Sequence, residues 1–302
     1  TVVTACADFS DIVGKKRLRF CDIQHLLRIF LSITCNFVLI NNENMIELNS
    51  KIGRVAFAAI ASVMVEFAWY NVGRVASWLG LPRHTVIYYT AKDLLMVILI
   101  ALILCIVMKP GKIFSFLGLG SKYTKGQLVA VISVLPLYLV FPIIGSVNPD
   151  WSFSLLAKGC VLPGFIEEFI WRGFMFGLFF RYAKVGFFWA TILPALLFAY
   201  PHIYQGHDLM SCMAAVGVTF IGALYFSWMY TAWKFDLWVP VFLHILMNGA
   251  WIIFNVTGTE VAAGGLISNI LRIVSIVLAI GLTVYFHRKN GSKAFDYPIW
   301  RF

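Results

Sequence analysis

The sequence predicts an all-α, polytopic helical membrane protein of about eight transmembrane helices, with its polar chemistry inside the bundle. Three observations carry that expectation. The 302 residues are 61% hydrophobic and only 13% charged, whereas soluble domains carry about a quarter charged residues. Apolar runs recur along nearly the whole chain, and a membrane-spanning helix needs about 20 mostly apolar residues. The basic residues gather in alternate connections between those runs, as the positive-inside rule requires of a multi-pass protein.

Taken in order, the expected spans are residues 55–70, 91–108, 128–144, 153–180, 186–200, 210–230, 238–254 and 266–286, each ending near Gly, Pro, Asn or charged residues. A further apolar run at 26–40 contains Arg28. It is short for a span and suits the membrane interface. Lys15, Lys16, Arg17 and Arg19 precede it, and no small-residue cleavage site follows, so a cleavable signal peptide is not expected. The chain divides into an N-terminal cytoplasmic or interfacial segment (1–54), N-terminal membrane helices (55–146), a core bearing the membrane charges (147–256), and a last helix with a cytoplasmic tail (257–302).

A net charge of +10 would suit nucleic acid, but its distribution points to the bilayer as the partner. The connection 109–125 holds Lys109, Lys112, Lys122 and Lys125 and no acid. Arg181 and Lys184 follow the fourth expected span, and Arg288, Lys289, Lys293 and Arg301 mark the tail. The connections around Asp150, Asp208 and Glu260 hold no Lys or Arg. Both termini are therefore expected in the cytoplasm of a multi-pass protein of the cell membrane, of the bacterial plasma-membrane type. In that arrangement Arg74 and Arg83 fall on the outer side. Cys6, Cys21, Cys35, Cys105, Cys160 and Cys212 show no metal-type spacing and read as small hydrophobes. The chain has no GxSxG, no HExxH and no pair of aspartates in its spans, which excludes those protease chemistries.

Charges inside apolar spans need a reason, since each costs roughly 2.5–3.5 kcal/mol at mid-membrane. The stretch "FIEEFIWRG" places Glu167, Glu168 and Arg172 in one such span. Glu168 and Arg172 are four apart, stack on one helix face and can neutralise each other. Glu167 is turned by about 100° and faces Trp171 one turn on, so it is left over. Pro163 and Gly164 precede it and can open a polar pocket beside it. Two histidines join this acid. His202 ends the fifth expected span in "FAYPH", one turn after Phe198, and His244 begins "HILMN", with Asn248 one turn later. Such a set can activate water and stabilise an oxyanion. Equally, Glu167, His202 and His244 can hold a divalent metal such as zinc. Both routes stay open on the residues. Counted from the cytoplasmic span ends, Glu167 and His202 fall far across the bilayer, and His244 falls near the start of its helix.

The three motifs EExxxR, FxxxH and HxxxN, in this order on separate membrane helices, resemble the CAAX protease and bacteriocin-processing (Abi) family, which includes the type II CAAX prenyl endopeptidases. The resemblance covers roughly residues 153–254. It implies an intramembrane peptidase with its catalytic cluster inside the bundle, acting on a membrane-associated peptide or protein: a prenylated tail, a leader or a signalling precursor. By the same resemblance Glu167 activates water with His202, while His244 and Asn248 stabilise the oxyanion or His244 joins a metal site. Glu168 and Arg172 hold the helix and orient Glu167. His207 and Asp208 read as loop residues near the mouth. Two other readings stand beside it: a non-catalytic membrane protein of the same fold, such as an immunity factor or scaffold, and a transporter relaying protons or ions.

Overall fold

The computed structural model describes residues 46–121, 124–256 and 265–300, with Gln24, His25 and Arg28 besides. Apart from Arg28, the 26–40 run lies outside the described residues, as does Glu260. Helix α1 (Lys51–Trp78) starts on Ser50 and α2 (Val86–Cys105) on Thr85, each side chain accepting a backbone N–H of the first turn. A short α3 (Pro110–Phe116) opens on a proline, whose missing N–H is no loss at that position. Helix α4 (Lys125–Ile144) is capped by Thr124. These caps are the residue types that satisfy free N–H groups at helix starts.

The fourth expected span is helical but not one regular helix. It runs as α5 (Phe153–Leu156), π1 (Ala157–Val161), α6 (Leu162–Glu168), π2 (Phe169–Phe176) and π3 (Leu178–Tyr182). π segments are rare, and they concentrate at functional sites. Helix α7 (Phe187–Ala199) passes into a 3₁₀ segment (Tyr200–Gln205), and α8 (Leu209–Ala232) starts on Asp208 in a capping box with Ser211. Then come α9 (Trp238–Ile253) and α10 (Leu266–Lys289).

Among the described residues, six helices are long and apolar enough to cross a membrane, counting Phe187–Gln205 as one. The two remaining expected spans differ for identifiable reasons. The fourth is interrupted by π segments, and α9 has 16 residues, about 24 Å at 1.5 Å per residue. Between 17% and 39% of each long helix's apolar window is buried inside the protein. The remaining apolar surface, including Trp78, Ile143 and Phe153, faces outward. In water such a surface would be a liability, and in lipid it is solvated. The molecule is an all-α, multi-pass membrane protein.

Two apolar clusters fill the interior. One joins α1, α2, α3, π2, π3 and α7, and the other joins α4, α8, α9 and α10. Helix α9 sits between them, giving Val241 to the first and Val239, Leu243 and Ala250 to the second. A two-residue ladder that the sequence did not suggest ties the far end of α9 to α4: β1 (Ser146–Val147) pairs antiparallel with β2 (Phe254–Asn255). A Cβ on Gly145 would lie 2.3 Å from the Asn255 carbonyl oxygen, so this close approach requires glycine.

Candidate functional site

The site is assembled where α6 meets α9. A Cβ on Gly164 would lie 2.6 Å from Ile245 Cγ1 and 3.0 Å from the Ile245 backbone nitrogen. The missing side chain lets the two backbones touch. Because Ile245 follows His244, and Gly164 lies one turn before Glu168, this contact sets the imidazole against the carboxylates. Glu168 Oε1 accepts from Arg172 Nη1 at 2.9 Å and faces His244 Nδ1 at 2.8 Å. Glu168 is fully buried and Arg172 is 1% exposed. Arg172 lies between two rings, 4.8 Å from the Phe198 centroid and 5.3 Å from that of Phe226, the geometry of cation–π contact.

Glu167 occupies a different environment. Its side chain is 21% exposed, and Oε2 lies 3.7 Å from His244 Nε2. The imidazole therefore stands between the two carboxylates, bonded to Glu168 through one nitrogen and facing Glu167 with the other. The acid left over in the sequence faces an imidazole rather than a guanidinium. His202 Nδ1 lies 2.9 Å from the Phe198 carbonyl. A carbonyl can only accept, so Nδ1 carries a proton, and in the neutral form of the ring the lone pair is at Nε2. Asn248 reaches the Gly159 carbonyl at 3.5 Å, a long contact that leaves its carboxamide adaptable.

Glu167, Arg172, Phe198, His202, His244 and Asn248 all line one cavity of ≈ 370 Å³. A water molecule occupies about 30 Å³ of liquid, so there is room for solvent together with a segment of chain. Glu168 stands behind the wall. The depth mismatch expected from counting along the spans does not arise. The short α9 starts inside the protein, with Leu237 N bonded to the Gly118 carbonyl at 3.0 Å and Trp238 Nε1 to the Leu119 carbonyl at 3.1 Å. His244 thus lies at the level of Glu167. Asp208 caps α8, accepting from Ser211 N at 2.8 Å, and neither it nor His207 is part of the cavity wall.

Sequence reading missed Phe226, Trp251 and Arg272, which also line the cavity. Arg272 carried a usable signal, a charge within the expected span 266–286. The two aromatic residues carried none, because an aromatic on an apolar helix reads as core.

Among the described residues, no three His, Cys, Asp or Glu side chains gather as a group able to hold a metal ion. Glu167, His202 and His244 share the cavity without forming such a group, and His244 Nδ1 is engaged by Glu168. No step below runs through a metal.

Fold and site together define a multi-pass membrane protein with an acid–imidazole cluster lining an internal cavity. Residues 149–250, which hold all three motifs, match the family described as Type II CAAX prenyl endopeptidase Rce1-like. The family resemblance carried by the motifs is borne out over that segment, and the kind of function it supports is that of a CAAX-type intramembrane protease. No curated protein sequence matches the chain significantly.

Proposed function

We propose that the chain is an intramembrane endopeptidase that hydrolyses a peptide bond in a membrane-associated protein or peptide by means of an activated water. The observation supporting this reading is that Glu167, His202, His244 and Asn248 line a single cavity although they come from three separate stretches of chain. Glu167 takes a proton from water as the water oxygen attacks the carbonyl carbon. The lone pair on His202 Nε2 orients that water. Where α6 meets α9, Glu167 and Glu168 face His244 and a single bonded guanidinium, Arg172, and a proton on His244 balances the charge of that cluster. The imidazolium then donates Nδ1–H to Glu168 and Nε2–H toward the developing oxyanion, which the Asn248 carboxamide also reaches. Collapse of the tetrahedral intermediate breaks the C–N bond. Glu167 returns its proton to the leaving amine, and a new carboxylate and a free amine result.

The test is cleavage of a membrane-peptide substrate by purified protein. Glu167→Ala is expected to reduce kcat by about 10²–10⁴-fold, the usual worth of a general base. A variant cleaving at the native rate would remove Glu167 from this role. Cleavage is also expected to survive exhaustive dialysis against EDTA. Loss of activity on dialysis, restored by stoichiometric zinc, would replace the metal-free route.

A further inference from the structure

A separate cavity of ≈ 500 Å³ takes no part in the reaction proposed above. Phe116, Phe180, Arg181, Lys184, Phe235 and Tyr297 line it. Four stretches of chain meet there: the end of α3, the end of π3 with the turn after it, the connection between α8 and α9, and the tail beyond α10. The tail is fastened in place, because Phe187 N and Phe188 N at the start of α7 donate to the Pro298 and Ile299 carbonyls at 2.9 and 3.1 Å. Tyr297 then packs on Phe180 and Phe235, with ring centroids 5.6 and 5.7 Å away.

Arg181 is anchored by one corner of its guanidinium. Cζ lies 5.1 Å from the Phe116 ring centroid and 4.4 Å from that of Phe235. Nη1 donates to the Phe116 carbonyl, and it reaches the Tyr230 hydroxyl at 3.4 Å and the Ser115 carbonyl at 3.5 Å. Every one of these bonds uses Nη1, so among the described residues Nε and Nη2 have no partner. Three residues on, Lys184 is exposed and its ammonium has no partner among them either. Its backbone is left-handed, with φ 59°, a conformation glycine adopts more readily. No Asp or Glu lines this cavity. The acids beside Tyr297 and Phe235 in the sequence are already engaged, Asp296 with Lys293 at 3.6 Å and Asp236 with Thr124, Gln127 and Trp238 N.

A stacked guanidinium with open N–H corners, an ammonium beside it and no carboxylate between them make a receptor for phosphate oxygens. We infer that Arg181 and Lys184 hold the phosphate of an anionic lipid headgroup. Free phosphate offers the same oxygens, but two features favour the lipid. The site lies at the ends of membrane-crossing segments, on the basic connections that face an anionic leaflet. Its walls are aromatic, which suits the apolar part of a lipid next to its headgroup. A headgroup seated there joins four stretches of chain at one end of the bundle. The inference is independent of the peptidase reading.

The experiment measures binding and does not depend on turnover. Full-length protein in dodecyl maltoside is titrated with phosphatidylglycerol or with phosphatidylcholine, and retained lipid is counted by native mass spectrometry. Phosphatidylglycerol is expected to be held at least roughly tenfold more tightly, the worth of a hydrogen bond to a charged group. Arg181→Gln is expected to erase that preference. Arg288→Gln removes the same charge from an exposed position in the last turn of α10, and is expected to leave the preference intact. Lys184→Gln breaks no contact of the folded protein and is expected to weaken phosphatidylglycerol alone, so the test stands even where Arg181→Gln fails to fold. Equal retention of the two lipids by the unaltered protein overturns the site. Equal losses in Lys184→Gln and Arg288→Gln also overturn it, because overall charge alone would then govern binding. Displacement of bound phosphatidylglycerol by equimolar inorganic phosphate overturns the lipid assignment and gives the cavity to free phosphate.

Discussion

Glu167 and Glu168 are adjacent in sequence and serve different ends because a helix turns by about 100° per residue. Glu168 is sealed behind the cavity wall, bonded to Arg172 and His244 through a single oxygen. Glu167 is in the wall itself, within reach of anything that enters. Their substitutions should therefore separate. Removing one partner of a buried ion pair leaves an uncompensated charge and costs about 3–5 kcal/mol. Glu168→Ala is expected to lower Tm markedly and to reduce activity with it, through Arg172 and the loosened His244. Glu167→Ala is expected to leave Tm near the native value while removing activity. Thermal melts of the two purified variants in one detergent check this, and equal destabilisation by both would point to a purely structural cluster.

Between elements, the decisive contact is α6 against α9. No side chain intervenes at Gly164, so α9 is held where His244 reaches both carboxylates. The neighbouring π segments leave the helix carrying EExxxR irregular on either side of α6. A larger residue at 164 must push the helices apart, because Ile245 backbone as well as side chain stands in the way. Gly164→Val is expected to cost about 1–3 kcal/mol of stability, the range of overpacking, and to lower activity by far more than that loss explains. The comparison is kcat against Tm for Gly164→Val and Gly164→Ala. Full activity in the valine variant would show that the close approach does not position the site.

Across the whole molecule, the connection before α9 is fastened to the start of α4 by one buried acid. Asp236 Oδ2 accepts from Thr124 Oγ1 at 2.8 Å and from Gln127 Nε2 at 2.9 Å, and Oδ1 accepts from Trp238 N at 3.1 Å. Burial pushes its carboxyl above the usual carboxylate range, with these hydrogen bonds opposing the shift. The folded protein therefore holds this proton more tightly than the unfolded chain does. Stability from this group is present below the ordinary carboxylate pKa, near 4, and is lost as pH rises through the folded value. The protein is expected to melt at lower temperature as pH is raised across that window, and Asp236→Asn to flatten the dependence. A slope unchanged in the variant would assign the effect to another group.

What the sequence by itself determined was the membrane class, the helical fold and the charges that required explanation, because apolar length and misplaced charge are local properties that lipid makes costly to disguise. EExxxR, FxxxH and HxxxN were legible for the same reason: helical periodicity places each pair on one face before any packing is known. Other features depended on contacts between distant segments. Only the tertiary structure decided that Glu168 and not Glu167 fixes His244, that a short α9 starts inside the protein, and that Trp251 and Arg272 close the far end of the cavity. Spacing along a chain specifies a helix face, but which faces meet, and at what depth, is set by where a glycine lets two backbones touch.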